Sequence, residues 1–213
     1  MTKVTQAHLD ARREEILAAG VKIFARKGMQ SATMAEIAEE AGISAGAIYR
    51  YFANKEDLAA FCMGQSGEQV TSAWRQLKEQ SGDPRTVFEA MARESFEEIN
   101  APDAANESYL MFESQLAAAR AGDSRLLTES RRSHQLIVDG LAEAIAKMQE
   151  ADQFPPSLNA QQLAAALLSF YYGARLTKLV NGDDADTDAQ LEQVWRLMSL
   201  ASAASAPAPV SAY

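Results

Sequence analysis

Tyr49, Arg50, Tyr51 and Lys55 set two phenols and two cations within two helical turns of chain. Such groups bond phosphate oxygens and base edges, so the chemistry on offer is recognition of duplex nucleic acid rather than bond making. Directly upstream, Ser44-Ala45-Gly46-Ala47 is a run of small residues. Small residues at a helix start let the backbone come close to a phosphate or a base edge. The sequence has no Gly-rich phosphate loop and no His-Glu-x-x-His, and its two histidines, His8 and His134, lie far apart. The expectation is a protein that is not an enzyme and uses neither cofactor nor metal.

Those groups need short, well-terminated elements to hold them. Thr33 with Glu36 three residues later is a capping box, so a helix starts at about Met34. Met34, Ile37, Ala38 and Ala41 recur at helical spacing and form its buried face. Gly42 is a left-handed stop, and Ile43 packs back as the plug of the turn. Ser44 is the N-cap of a second helix running through Ala47, Ile48 and Tyr51, and Asn54 caps the next. Ahead of the pair, a helix from about His8 to Lys27 ends at Gly28.

Three stretches carry a resemblance: R-R-E-E-I-L-A-A-G-V-K-I-F-A-R-K-G at 12–28, T-M-A-E-I-A-E-E-A-G-I-S at 33–44, and G-A-I-Y-R-Y-F-A-N-K-E-D-L at 46–58. Together they resemble the DNA-binding domain of the TetR family of bacterial transcription regulators, over about a fifth of the chain. The resemblance implies a homodimeric repressor that leaves its double-stranded operator DNA when a small inducer binds. By position it implies that Thr33 and Ser44 reach phosphates, that Tyr49 is the family tyrosine, and that Lys55 is its phosphate-contacting lysine. Ala45, Gly46 and Arg50 then face bases or the groove wall, beside Tyr51. Many relatives carry a basic residue where this chain has Ala35, so operator sequence does not carry over.

Net charge is −9, an unexpected sign for a DNA binder. Residues 1–55 hold eight Lys/Arg against six Asp/Glu, a net of +2, and the remainder holds twelve against twenty-three, a net of −11. The acid therefore lies away from the DNA-facing end, which predicts few phosphate contacts per subunit and a moderate salt dependence. No apolar run reaches the roughly 18 residues of a membrane span. Ala7 to Glu15 is polar, unlike a signal peptide, and the one cysteine, Cys62, is expected as a buried structural thiol. A cytoplasmic protein without membrane contact is expected.

Beyond residue 55 only helical periodicity is found, giving an all-α fold of about nine to ten helices. The expected organisation is a helix-turn-helix domain at 1–55, a ligand-binding and dimerisation domain at 56–204, and a mobile tail at 205–213. Helices are expected at about 54–80, with Gly64 and Gly67 as flex points, and at 84–100, opened by Asp83-Pro84. Others are expected at 107–120, from Asp123 to about 150, at 160–180 opened by Asn159, and at 188–203 opened by Thr187. Trp74, Phe88, Met91, Tyr109, Phe112 and His134 lie on apolar stripes and are the candidate pocket lining, although a plain helical core needs the same residues. Glu113, Gln115 and Arg175 are candidate polar anchors. The Met and aromatic content suits a lipophilic inducer. Leu163, Leu167, Tyr171, Leu191, Val194, Trp195 and Met198, on the last two helices, are candidates for a dimer interface built as a four-helix bundle.

Overall fold

The computed structural model describes residues 6–61, 72, 83–102, 104–122 and 125–204. Among these residues the secondary structure is helical, without a strand. The order is α1 (Gln6–Ser31), α2 (Met34–Glu40), α3 (Ala45–Ile48), α4 (55–61), α5 (Pro84–Asn100), α6 (Ala104–Ala121), α7 (Arg125–Glu150), α8 (Ala160–Asn181) and α9 (Thr187–Ala204). A short 3-10 turn, Gly182–Asp184, lies between the last two. The all-α expectation holds.

The chain forms two compact units that are not consecutive halves. One contains the N-terminal helices together with 103–135, and the other contains 70–102 together with 136–213. In the first unit Ile16, Ile23, Phe24, Ile37, Ile48 and Leu58 are at most 2% exposed and form one cluster. Each such side chain contributes roughly 1.5–3 kcal/mol relative to leaving it in water. Ala118 of α6 and Leu126 of α7 close the same cluster. Gly20 of α1 permits the α1–α4 approach, since a Cβ there would lie 2.6 Å from Leu58 Cδ2.

In the second unit Phe88, Val138, Ile145, Met148 and Leu168 form a cluster, and Phe96, Ile99, Ala174 and Leu191 form a smaller one. Phe88 meets Trp195 edge to face at 5.7 Å, and Phe96 stacks on Phe170 at 5.6 Å. Asp83 accepts the Thr86 N–H at the start of α5, with Pro84 next, as its sequence predicts. Asn159 likewise caps α8 through the Gln162 N–H.

The first helix breaks at Gly28 as its sequence predicts, with φ 76° and ψ 154°, and one further turn runs to Ser31. Two local readings change. α3 ends at Ile48 rather than continuing to Tyr51, with residues 49–51 in a turn. The cap of α9 is Asp186, whose carboxylate accepts the Ala189 N–H. Thr187 is instead 1% exposed and bonded to Asn100. A buried hydroxyl needs a partner, and Asn100 supplies it.

Candidate nucleic-acid interface

The helix-turn-helix is built from its caps outward. Thr33 Oγ1 accepts the Glu36 N–H, while Glu36 Oε2 accepts the Thr33 N–H at 3.0 Å. Lys27 also contacts the Glu36 carboxylate. These bonds, Lys27 first and Thr33 next, pull the Glu36 carboxyl down from 4.5 to about 2. α2 closes in a Schellman motif: the Ile43 N–H reaches Ala38 O at 2.9 Å and the Gly42 N–H reaches Glu39 O at 3.0 Å. That closure needs Gly42 at φ 66°, a backbone that side-chain-bearing residues adopt at a cost.

α3 follows with a single buried anchor, Ile48, at 0% exposure. Opposite it Ser44, Ala45, Gly46, Tyr49 and Arg50 are exposed, Tyr49 at 58%. The Ser44 hydroxyl makes no capping bond, so it stands open to an outside acceptor. Nothing lies within 4 Å of a Cβ built on Gly46. The result is a ridge of small residues flanked by one phenol and one guanidinium, the arrangement a groove-reading helix requires. Tyr51 is half-buried and packs its ring on the domain core.

Lys55 and Thr33 behave differently. The Lys55 ammonium donates to Gln30 O at 2.7 Å and Ala32 O at 3.3 Å, clamping the turn between α1 and α2. The same turn is held from the other side by α6, where Glu113 Oε2 accepts the Met29 N–H at 2.6 Å. A Cβ on Gly28 would press to 3.0 Å from that carboxylate. Sequence reading set Glu113 beside the ligand anchors because a lone carboxylate on a helix carries no sign of a distant backbone donor.

Residues 16–60 match the family model for bacterial regulatory proteins of the tetR family. Over that stretch the chain is similar to the DNA-binding part of tetR-family regulators. An uncharacterized HTH-type transcriptional regulator, YfiR, of Bacillus subtilis is 45% identical over 56 residues, 26% of this chain and 27% of that one. The match therefore spans about a quarter of that relative. The HTH-type transcriptional repressor KstR2 of Mycobacterium tuberculosis is 26% identical over 71% of this chain and 73% of its own. Among solved structures, Bacillus subtilis FadR in complex with stearoyl-CoA superposes with a TM-score of 0.71 at 16% identity, over 87% of this chain and 97% of that one. At that identity the likeness shows a shared fold alone, one that extends beyond the helix-turn-helix.

The candidate pocket residues are divided between the two units. Tyr109, Phe112 and His134 belong to the first and Phe88 and Met91 to the second, while Trp74 lies outside the described residues. Phe88 and Met91 are buried core. His134 is exposed, and its neighbour Ser133 is the buried one, so the histidine does not interrupt a buried stripe. Cys62, Gly64 and Gly67 lie outside the described residues, as does the 205–213 tail. Arg175 is buried at 8% exposure and donates to Tyr171 Oη at 2.9 Å.

The last two helices also divide differently from their pattern. Leu191 is buried, and Leu163, Leu167, Tyr171, Trp195 and Met198 pack against the second unit's own clusters. Val194 is intermediate. The outward apolar side chains are Leu176, Val180, Leu197 and Leu200, 48% to 73% exposed.

Proposed function

We propose that this chain is a homodimeric, ligand-released repressor that reads a palindromic operator through α3 and works in the cytoplasm. The observation that carries the reading is the α3 surface: a buried Ile48 beneath exposed Ser44, Ala45, Gly46, Tyr49 and Arg50. Residues 1–55 are the DNA-reading part and 56–204 the ligand-binding and dimerising part. Of the expected pocket lining, Tyr109, Phe112 and the half-exposed residues around them remain the candidates least committed to core. The dimer interface is assigned to α8 and α9, with Leu176, Val180, Leu197 and Leu200 joining the sequence-derived set. Two large exposed side chains per helix are what a second copy covers in a four-helix bundle. The similar structure of Bacillus subtilis FadR, solved in complex with stearoyl-CoA, supports an acyl or otherwise lipophilic inducer.

Release works through the clamped turn. Glu113 on α6 and Lys55 on α4 hold residues 29–32, immediately ahead of the α2 cap. A ligand that shifts α6 moves this turn and with it the reading helix, and a coupling of about 1–3 kcal/mol suffices. The test is selection of random duplex DNA by the purified protein, followed by binding of the selected duplex with and without acyl-CoA thioesters. A palindromic consensus released by ligand is expected; absence of any enrichment at low salt leaves a helical ligand-binding protein without DNA activity. Glu113→Gln is expected to reduce release while the consensus stays the same.

A further inference from the structure

A notch of about 180 Å³ opens between the first turns of α1 and the end of α3, lined by Leu9, Arg13, Arg50 and Tyr51. Its charge is unusual for the surface around it. Residues 6–61 contain seven cations, namely Arg12, Arg13, Lys22, Arg26, Lys27, Arg50 and Lys55. Five are already engaged: Arg12 by Glu15, Lys22 and Arg26 by Glu40, Lys27 by Glu36, and Lys55 by two backbone carbonyls. Of these seven, Arg13 and Arg50 are the two with no acidic or carbonyl partner among the described residues, and both line the notch.

Two arginines that line one notch without an acidic partner make it a place where an anion would offset like-charge repulsion. A guanidinium fork bonds a phosphate oxygen pair in a fixed plane, and two forks match one tetrahedral group. Leu9 and Tyr51 supply the walls. The position is also right for DNA, since Arg50 lies on the exposed turn that directly follows α3. Arg13 lies ahead of residues 16–60, the part of the chain that the family model matches, so the family match assigns it no role.

We propose that Arg13 and Arg50 close on a single backbone phosphate of the operator, extending the DNA interface from α3 onto α1. The proposal rests on the operator-binding reading above. It makes Arg50 a positioning contact rather than a base reader, and Arg13 the second half of its clamp.

The test uses the full chain and the duplex selected by the wild-type protein, with affinity measured by fluorescence anisotropy across a salt series. Arg13→Ala is expected to weaken binding about ten-fold and to lower the salt slope by about one, with the selected consensus and the melting temperature unchanged. Arg13→Lys, which keeps the charge and loses the fork, is expected to fall between. Arg13→Ala combined with Arg50→Ala is expected to cost less than the product of the single losses, because both grip one group. Unchanged affinity and slope in Arg13→Ala, while wild type still selects a palindrome, overturns the clamp alone. A changed consensus in Arg50→Ala overturns the phosphate assignment in favour of base reading. If inorganic phosphate shifts the arginine side-chain NMR signals but Arg13→Ala leaves DNA affinity intact, the notch holds free anion and the DNA assignment is overturned. Failure of wild type to select any duplex overturns the operator reading itself, and the clamp with it.

Discussion

The turn region around α2 and α3 and the pair α8–α9 solve the problem of apolar side chains in opposite ways. In the first, Met34, Ile37 and Ile48 are all buried within the chain itself, and what remains outside is small or polar. In the second, Leu168 and Leu191 are buried while Leu176, Val180, Leu197 and Leu200 stay out in water. A surface that must meet a hydrated, charged partner has to stay polar when alone. One that meets its own copy keeps its grease exposed until the copy arrives. The difference is what the proposal rests on when it gives the first surface to DNA and the second to another copy of the chain.

The largest expected effect breaks the comparison most directly. Ile48→Ala is expected to cost about 2–5 kcal/mol of stability, whereas Leu197→Ala is expected to stay within about 0.5 kcal/mol when dilute, because only the first opens a core cavity. Chemical denaturation of both variants measures this; equal costs would mean that Leu197 is covered inside the monomer. Next, Val180→Glu with Leu197→Glu is expected to convert a dimer to a folded monomer in sedimentation equilibrium. A dimer that survives both charges moves the interface elsewhere.

Glycines sharpen the contrast within the DNA-reading region. Gly42→Ala, at φ 66°, is expected to destabilise by about 1–2 kcal/mol. Gly46→Ala, in regular helix with open space around it, is expected to stabilise by about 0.5–1 kcal/mol yet weaken operator binding, since its missing side chain serves the DNA rather than the fold. Thermal melts and anisotropy on the same samples separate the two; loss of stability in Gly46→Ala refutes the assignment.

The smallest effect concerns acid. Glu36 in the first region and Asp83, the N-cap of α5, both hold folded-state values of about 2, against 4.5 and 3.8. A lowered carboxyl stabilises the fold fully above its unfolded value, so each contribution is present above about pH 4.5 and fades as pH falls toward 2. Glu36→Gln is expected to flatten part of the circular-dichroism loss between pH 4.5 and 2. An unaltered acid curve in that variant would show that the capping box carries none of the acid sensitivity.

Local chemistry was legible in the sequence wherever a residue's role is settled within four or five positions. The Thr33–Glu36 box, the Gly42 closure, the Asn54 and Asp83 caps and the Asn159 cap all stand where their spacing places them. The reading failed one residue away at Thr187, where a burial partner 87 residues distant, Asn100, outbid the local signal and left capping to Asp186. It misplaced His134 for a related reason: a stripe drawn from periodicity is only as good as its phase, and a shift of one residue turns a side chain by about 100°.

The sequence by itself determined the all-α class and the helix-turn-helix, because caps, turn glycines and 3.6-residue periodicity are properties of neighbouring residues. Only the tertiary structure decided that Lys55 and Glu113 clamp the α1–α2 turn, that Arg13 joins Arg50 at one notch, and which leucines of α8 and α9 face outward. Those are relations between residues tens of positions apart. Chain distance says nothing of them until packing has chosen which faces are buried.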